Sequence, residues 1–397
     1  MVCGTCGVLT VLKWGNEPLT ADHGQTEMRN NEISAFLSER ITAGDFPSAV
    51  YLIAQGDEII FSDAIGNSVV EPYRIATTAQ TIYDLASLTK PLVTALLCCR
   101  RIELGELTLD SSVSHYLAEF DRTDKHMITV RELLTHSSGL PAWRPLYILA
   151  ESDPERALPA IANLDLEYKP GSRVIYSDLG FIALGFLVER LSHHERLAQL
   201  ATTEIINALG LQNTFFNPEA ALQTGIAACE TGNAYERDMC EVDAAGQYKN
   251  WRNALIWGEV HDGNAFFLGG AAGHAGLFST AEETWRLAQQ FLAKRSKLLK
   301  AETCEMFRKN MTLGLEEART IGWQLGASPE STAGTALPPD SFGHTGFTGT
   351  SCWIDPQHER VFILLTNRTH NHARPFVNIN SVRRQFHNMA AIALEKI

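Results

Sequence analysis

Ser87-Leu88-Thr89-Lys90-Pro91 stands directly before an apolar run over residues 92–97, Leu-Val-Thr-Ala-Leu-Leu. This pattern predicts a buried helix that begins near Ser87. Residues three apart share one face of a helix, so the Ser87 hydroxyl would lie beside the Lys90 amine. Such a pair can supply a nucleophile and its base. A helix N-cap followed by a solvated lysine has the same pattern, so the motif needs support from the rest of the chain.

Three further segments place polar residues next to predicted helices or strands. Residues 168–178, YKPGSRVIYSD, run from a Pro-Gly turn to Tyr176-Ser177-Asp178, just before a helical pattern. Residues 133–141, LLTHSSGLP, read as a helix end followed by a loop. Residues 343–350, GHTGFTGT, form a glycine-rich approach to a strand. Each segment is weak alone, but their order along the chain makes coincidence a poor explanation.

In that order the motifs resemble those of the penicillin-recognising serine hydrolases of the class C β-lactamase type. This group includes D-alanyl-D-alanine peptidases and family VIII esterases. The family carries Ser-x-x-Lys, then Tyr-Ser-Asn or a close variant, then Lys-Thr-Gly or His-Thr-Gly. Here the three motifs stand at residues 87–90, 176–178 and 344–346. The resemblance extends over roughly residues 48–390 and leaves only the N-terminal arm outside.

The resemblance implies an α/β (α+β) fold of the β-lactamase/transpeptidase type. Its antiparallel sheet would come from both chain ends and be flanked by helices, with an all-helical subdomain beside it. Local patterns point to the same outline: strands at 48–54, 58–62, 349–354 and 360–366, and helices at 27–43, 198–208, 281–291 and 381–395. We predict an N-terminal arm over 1–27 and a single catalytic domain over 28–397, with its α/β part at about 28–86 and 310–397 and its helical part at about 87–309.

The family motif assigns a role to each matching residue of this chain. Ser87 would be the nucleophile, and Lys90 and Tyr176 would move protons. The backbone N–H groups of Ser87 and Phe347 would form the oxyanion hole. Substrate-binding positions would be Asp178, His344, Thr345 and Gly346. Glycine suits position 346, where a strand edge must come close to the substrate.

Two residues depart from the usual family pattern. His344 stands where many lactamases and peptidases have lysine, and histidine is mostly neutral at pH 7. This weakens binding of a substrate carboxylate, unless the histidine is protonated at a pH below about 6.5. Asp178 stands where asparagine is common, and its charge would favour protonated Lys90. Either Asp178 points away, or it is protonated, or Lys90 acts mainly as an electrostatic partner.

These features predict a serine hydrolase that acts through an acyl-enzyme on ester or amide (β-lactam-like) substrates, with carboxylesters favoured. The alternatives are a β-lactamase or a D-alanyl-D-alanine carboxypeptidase. A different class is also open, namely a slow-turnover penicillin-binding or peptidoglycan-sensing module. An inactive structural member of the family is the third alternative. The expected partner is a small-molecule ester, β-lactam or peptide, and the oligomeric state is left open.

Amino-acid composition and the N-terminal residues limit the possible binding partners and the cellular compartment. With 33 basic and 46 acidic side chains, the 397-residue chain has a formal net charge of −13, which argues against nucleic acid and anionic membranes. It has no apolar run long enough to span a membrane. The N-terminus lacks a basic n-region, which predicts a cytoplasmic protein, or a periplasmic one if a leader was removed.

Neither a metal nor a cofactor is expected. The eight cysteines are spread over the chain, and Cys3-x-x-Cys6 has no second ligand pair. His370 and His372 form a histidine pair without a third ligand placed by spacing. Five aromatic residues are candidates for an acyl or aryl pocket, although core packing is the simpler interpretation for most of them: Trp143, Trp257, Phe266, Phe267 and Trp323.

Overall fold

The computed structural model of the protein describes residues 29–121, 124–240 and 246–397. The predicted arm at 1–27, with Cys3 and Cys6, lies outside the described residues. The strands are β1 Ser48–Gln55, β2 Glu58–Val69, β3 Ile75–Ala76, β4 Tyr83–Asp84, β5 Phe278–Ser279, β6 Gln324–Leu325, β7 Phe342–Thr345, β8 Ser351–Asp355 and β9 Arg360–Thr366. Seven of them form an antiparallel sheet in the order β3-β2-β1-β9-β8-β7-β6, and β4 pairs with β5.

Most of the helices lie between β4 and β6. The α-helices are Asn31–Thr42, Leu96–Glu103, Val130–Leu134, Leu146–Leu149, Ala157–Asn163, Asp178–Leu191, Leu197–Ala201, Asn207–Leu209, Ala234–Met239, Gly263–Phe267, Ala281–Ala288, Ala301–Cys304 and Asn380–Leu394. Short 3₁₀ turns cover Ala86–Leu88, Val113–His115, Ala118–Phe120, Pro154–Arg156, Ala220–Gly225, Gln289–Phe291 and Glu305–Arg308. Two π-helical turns cover Lys90–Ala95 and Thr202–Ile206.

Both ends of the chain build the sheet, as the sequence predicts. β1 pairs with β2 through a tight turn and with β9 on its other edge, where Leu52 lies opposite Ile363. Gly56 in the turn has a φ of +63°, which glycine adopts without strain. β2 is longer than predicted and continues to Val69. The predicted fold class, an antiparallel sheet flanked by helices, is confirmed.

Alternate residues of the central strands face two hydrophobic cores. In β1, Val50 and Leu52 contact the core shared with the helical region. Tyr51 and Ile53 contact a second core under the helices Asn31–Thr42 and Asn380–Leu394. Side chains alternate across a strand, so a run that is apolar at every position must be covered on both faces. The sheet is thus fixed between two helical layers, and β7, next to the edge strand β6, contacts the turn Ala86–Leu88.

Two helices that the sequence predicts as continuous are interrupted in the structure. The predicted helix over 198–208 is divided by the π-helical turn and stops at Gly210, whose φ is +62°. The predicted helix over 281–291 ends in a 3₁₀ turn after Ala288, and the Thr280 side chain caps its start. The spacing of apolar residues predicts which face of a helix is buried. It does not predict where the backbone changes between α-, π- and 3₁₀-type hydrogen bonds.

Within the described part of the chain, no helix is long and apolar enough to cross a membrane. The cysteines of that part are free thiols, and the adjacent Cys98 and Cys99 are both buried. Burial raises the pKa of the Cys98 thiol to about 12, so this thiol stays protonated and packs as a small apolar group.

Candidate active site

The Ser87–Lys90 segment begins a helical run that changes type twice: a 3₁₀ turn, a π-helical turn and the α-helix Leu96–Glu103 follow each other. Ser87 lies inside the first turn and Leu85 is its N-cap, so the alternative in which Ser87 is only a helix N-cap is wrong. Pro91 has no N–H to donate to the carbonyl of Ser87, so a regular α-helical ladder cannot start there. The predicted shared face does form, because Lys90 Nζ donates to Ser87 Oγ at 2.9 Å.

Strain marks the residue before the serine. Ala86 has a φ of +47°, a left-handed conformation that alanine rarely adopts. Its N–H donates to Asp84 Oδ1 at 2.8 Å, and its carbonyl accepts from Thr89 Oγ1 at 2.7 Å. Surrounding bonds therefore impose this conformation, which is common where a reactive side chain must point into a cleft.

Lys90 is completely buried and makes three polar contacts. Besides Ser87, its ammonium donates to Asp178 Oδ1 at 2.7 Å and to the carbonyl of His274 at 3.2 Å. Burial alone would lower the pKa of Lys90, but the Asp178 carboxylate, together with Tyr176, overcomes this effect and raises the pKa above its usual value. At neutral pH, Lys90 is therefore an ammonium group that donates to the serine.

Asp178 points at Lys90, so the alternative in which it points away is wrong. It is the first residue of the helix Asp178–Leu191, and Ser177 is the N-cap, whose Oγ accepts from the N–H of Gly180 at 3.2 Å. Its own N–H donates to the carbonyl of Ala142 at 2.8 Å. The helix start thus fixes the carboxylate against the buried ammonium.

Tyr176 lies over the same ammonium. Lys90 Nζ is 4.8 Å from the centroid of the Tyr176 ring, and the ring also packs on His136 at 4.5 Å. The hydroxyl is buried and lies close to Lys90 and Ser87, although it forms no hydrogen bond of standard geometry with a described residue. Burial raises the pKa of Tyr176, and the nearby Lys90 charge offsets only part of this effect, so the resting phenol is neutral.

The third motif lies on β7 and the turn after it. His344 is buried; its Nδ1 bonds the carbonyl of Thr345 at 2.8 Å, and no described group pairs with its Nε2. Burial and the positive charges of Lys90 and Arg319 lower the pKa of His344 well below its usual value. A neutral imidazole therefore occupies the position where lysine would carry a charge.

Gly346 is required by a close approach of two backbones. A Cβ at this position would lie 2.1 Å from Thr350 Oγ1 and 2.5 Å from the carbonyl oxygen of Leu85. The group that comes close to Gly346 is thus the segment before Ser87. The prediction that glycine is needed here for close approach of a substrate therefore named the wrong group. Thr350 Oγ1 also donates to the Leu85 carbonyl at 3.0 Å, which ties the third motif to the first.

One cavity of about 600 Å³ joins these motifs. The predicted site residues that line it are Ser87, Tyr176, Asp178, His344, Thr345, Gly346 and Phe347. Lys90 lies beneath them and reaches the cavity through Ser87. The Phe347 ring stacks on His261, with 5.4 Å between ring centroids, and the Arg368 guanidinium covers it at 4.8 Å. Sequence motifs about 90 and 170 residues apart are therefore brought to one opening.

The remaining sequence candidates lie in the cavity, in the core and at the surface: Trp257 and Phe267 pack against the core, and Phe266 is 44% exposed. Trp143 lines the cavity, whereas Trp323 is buried between Phe291 and Phe342. His370 accepts from the N–H of Val70 at 2.8 Å through Nε2, and its Nδ1 bonds the Cys229 carbonyl. These contacts give it a structural role. No cluster of three metal-ligating side chains was found among the described residues.

The motifs miss several charged residues of the cavity wall. Glu236, Asp262, Arg319 and Arg383 line the cavity, and each comes from a different loop or helix. Asp262 Oδ1 pairs with His274 at 2.8 Å, and Arg383 donates to the carbonyl of Gly346 at 2.7 Å. No local sequence pattern distinguishes these residues from ordinary surface charges.

Comparison with known proteins matches the chain to one family over most of its length. A family model described as beta-lactamase matches residues 33–384. A protein of Escherichia coli K12, provisionally named a D-alanyl-D-alanine carboxypeptidase, is 33% identical over 376 residues, which cover 86% of this chain and 83% of that protein. A similarly named protein of Salmonella typhimurium is 32% identical and covers 90% of this chain and 87% of its own length.

Solved structures share the fold at low sequence identity. EstCE1, described as a hydrolase with promiscuous acyltransferase activity, superposes with a TM-score of 0.69 at 23% identity and covers 90% of this chain and 97% of its own. A class C beta-lactamase superposes with a TM-score of 0.67 at 16% identity and covers 92% and 97%. Together with the family match over most of its length, these findings show that the chain belongs to the β-lactamase family of serine hydrolases.

Proposed function

We propose that this protein hydrolyses ester or amide substrates through an acyl-enzyme formed on Ser87. The observation that carries the proposal is the contact of Ser87 Oγ with the buried Lys90 ammonium at 2.9 Å, on the wall of a cavity large enough for a small acyl substrate. Ser87 Oγ attacks the carbonyl carbon, the bond to the leaving group breaks, and water then cleaves the acyl-serine bond.

Two neighbouring groups are assigned the proton transfers. The Ser87 proton must leave as the oxygen attacks, and a proton must reach the leaving group. Lys90 contacts the serine directly, and the Tyr176 phenol lies against the Lys90 ammonium. Asp178 keeps Lys90 protonated. The Lys90 ammonium must therefore lose a proton before its nitrogen can accept the proton of Ser87. We therefore assign Lys90 as base only in its deprotonated form, with Tyr176 as the group that returns the proton.

Replacing Asp178 by asparagine tests this assignment. Without the carboxylate, burial dominates and the pKa of Lys90 falls, so the base form is populated at lower pH. The rising limb of the kcat/KM profile against pH should move to lower pH by about one unit or more in Asp178→Asn. If the rising limb of the Asp178→Asn profile lies at the same pH as that of the wild type, whatever the level of activity, Lys90 acts only as a fixed positive charge and not as the base.

The oxyanion is assigned to the backbone N–H groups of Ser87 and Phe347. Both residues line the cavity, and the contact between Gly346 and Leu85 brings their segments together. Charge that develops on the substrate oxygen is stabilised by such preorganised donors. The buried Lys90 ammonium adds positive potential at the same place.

Carboxylesters remain the favoured substrates in this proposal. An ester leaving group departs with less help from a general acid than an amine does, which suits a site whose phenol has a raised pKa. Neutral His344 supplies no charge for a carboxylate. A second candidate, cleavage of D-alanyl-D-alanine peptides, is supported by the names of the bacterial relatives and by the buried Arg319 in the same cavity.

His344 leads to a testable expectation about pH. Burial and the neighbouring charges lower the pKa of His344 well below 6.5, so we expect substrate binding between pH 5.5 and 8 to be independent of its protonation. The KM of an anionic ester should follow the same pH profile in wild type and in His344→Gln. The ratio of the two KM values should stay constant within about twofold over this pH range. Wild-type KM that falls below pH 6.5, while that of the variant does not, would contradict this.

The substrate class can be tested by one set of assays. Short-chain aryl esters, a chromogenic cephalosporin and D-alanyl-D-alanine peptides are compared by kcat/KM, with Ser87→Ala protein prepared in parallel as the control. We expect Ser87-dependent turnover of the esters to exceed that of the other two classes. Faster turnover of the peptide would favour the second candidate, and failure to cleave any of them would oppose the hydrolase proposal.

The slow-turnover penicillin-binding module predicts a different time course. Such a protein would release one equivalent of leaving group and then stop, because its acyl-serine persists for hours. A hydrolase of this fold should continue for many turnovers after any initial burst. Stopped-flow measurement of the released phenol, followed by intact-mass analysis of the protein, separates the two.

A further inference from the structure

Asp84 is a buried carboxylate just before the segment that carries the nucleophile. It ends β4, and only 3% of the residue is exposed. Ala86 and Ser87 line the cavity, whereas Asp84 lies behind them. Burial raises the pKa of the Asp84 carboxyl, because a charge is poorly solvated there. A carboxylate in such a place needs hydrogen-bond donors from the protein, and these donors show what it holds.

Each oxygen of the carboxylate accepts from one backbone N–H group. Oδ1 accepts from the N–H of Ala86 at 2.8 Å, and Oδ2 accepts from the N–H of His261 at 2.8 Å. The two donors come from distant parts of the chain. With both oxygens occupied, Asp84 is fixed in one orientation and joins the two donor segments to each other.

The bond to Ala86 supports the strained backbone beside the serine. Ala86 has a φ of +47°, which alanine does not keep unless its surroundings impose it. The peptide plane that follows contains the N–H of Ser87, so the torsion angles of Ala86 help to set the direction of this N–H. Asp84 Oδ1 therefore acts on the first donor of the proposed oxyanion hole.

The bond to His261 acts on the second donor, the N–H of Phe347. The His261 ring stacks on the Phe347 ring, with 5.4 Å between ring centroids. At its other end, His261 Nε2 pairs with Glu230 Oε1 at 2.9 Å. Asp84 thus fixes the backbone of His261, Glu230 fixes its ring, and the ring supports Phe347.

Two hydroxyl groups tie the same segments more directly. Thr348 Oγ1 donates to the backbone carbonyl of Asp84 at 2.8 Å, and Thr350 Oγ1 donates to that of Leu85 at 3.0 Å. Asp84 is therefore bonded through its carbonyl to the residue after Phe347 and through its side chain to the residue before Ser87. Donors that stabilise a developing charge must be held in place before the reaction, and this network does so.

We propose that Asp84 is a positioning residue that orients the two N–H groups of the oxyanion hole, those of Ser87 and Phe347, toward one point. The proposal rests on the acyl-enzyme function and adds a residue that contacts neither the substrate nor the reacting atoms. Oxyanion donors act mainly on the transition state, where negative charge develops on the substrate oxygen. Loss of Asp84 should therefore lower kcat much more than it changes KM.

Asp84→Asn is the variant that tests this role. Asparagine has the same size, but its amide nitrogen cannot accept, so one of the two N–H groups loses its partner. We expect kcat for an aryl ester to fall about 10- to 100-fold, with KM within about threefold of the wild-type value.

Phenylboronic acid supplies a readout that a merely structural role would not change. The serine oxygen bonds boron, the serine proton is released, and a boron-bound oxygen of the tetrahedral adduct occupies the oxyanion position. Its inhibition constant should rise in Asp84→Asn by about the factor by which kcat/KM falls, because the adduct resembles the transition state.

Glu283→Gln is the matched control. Glu283 is 6% exposed, and its two oxygens also accept from backbone N–H groups, those of Gln212 and Asn213 at 2.8 and 2.9 Å. The substitution should lower the melting temperature about as much as Asp84→Asn does. It should change kcat and the inhibition constant less than about threefold, because Glu283 supports no oxyanion donor.

A second substitution tests the route through Ala86. Glycine adopts a positive φ without strain, so Ala86→Gly should make the carboxylate less necessary. In the double variant Asp84→Asn/Ala86→Gly, we expect kcat to be at least about threefold higher than in Asp84→Asn. An equal or lower kcat in the double variant would contradict the proposal.

Unchanged kcat in Asp84→Asn, or a lower kcat with unchanged binding of the boronic acid, would overturn the proposal. The acyl-enzyme function would survive either result, because the wild-type protein would still be acylated on Ser87. Should Asp84→Asn fail to fold, Thr348→Val replaces only the hydroxyl that holds the Asp84 carbonyl. Its kcat and its affinity for the boronic acid should then fall together by about 3- to 10-fold, and a fall in neither would contradict the proposal.

Discussion

Ser87→Ala should lower kcat at least about 1000-fold toward any substrate that the enzyme cleaves. The substitution removes one oxygen atom, the atom that accepts from Lys90 at 2.9 Å and that would form the acyl bond. Lys90 keeps its contacts with Asp178 and with the His274 carbonyl, so the buried charge remains compensated. We therefore expect the loss in rate to occur without a comparable loss of stability.

Ser341→Ala is the matched control for this experiment. Ser341 is fully buried, and its hydroxyl has no partner within the described residues, so its removal takes away a similar atom from outside the site. Both variants should keep a melting temperature close to that of the wild type, and only Ser87→Ala should lose activity. A loss below tenfold in Ser87→Ala would contradict the assignment of the nucleophile.

Lys90→Met should affect both activity and stability. Methionine approximates the length of lysine without its charge, and Asp178 would then face the site with no cation beside it. Removing one partner of a buried ion pair typically costs about 3–5 kcal/mol; we expect about 3 kcal/mol, because 18% of the Asp178 side chain is exposed. The loss of the proton-transfer group should lower kcat at least about 100-fold.

The double variant Lys90→Met/Asp178→Asn separates these two effects. It removes both charges, so the free energy of unfolding should return to within about 1 kcal/mol of the wild-type value. Activity should stay as low as in Lys90→Met, because the base is still absent. Chemical denaturation and kcat measured on the same preparations provide the check. A double variant that regains activity would show that the Lys90 chemistry is dispensable.

The sequence predicts those parts of the site that depend on local pattern and motif order. Ser87 and Lys90 share a helical face because three residues span about one turn, whatever the type of helix. The β1–β2 hairpin and β9 follow from apolar runs bounded by turns, and both are confirmed. The two-residue strands β3 to β6 were missed, because such short pairs are set by tertiary contacts that leave no period in the sequence.

Electrostatics could not be predicted from the motifs. An unperturbed histidine would gain charge near pH 6.5, but burial and the charges of Lys90 and Arg319 lower the pKa of His344 well below that value. The raised pKa of Lys90 likewise depends on which way Asp178 points, which the sequence left open. Arg319 lies outside every motif, and only the fold brings its charge into the cavity beside His344.

The central claim is that Ser87 is the residue that becomes acylated. The most direct test is to treat the protein with a fluorophosphonate probe, measure the intact mass and map the modified peptide. The account predicts one adduct per chain on Ser87, loss of ester turnover in proportion to labelling, and no adduct in Ser87→Ala. Labelling that persists in Ser87→Ala, or full labelling of Ser87 with turnover unchanged, would contradict it.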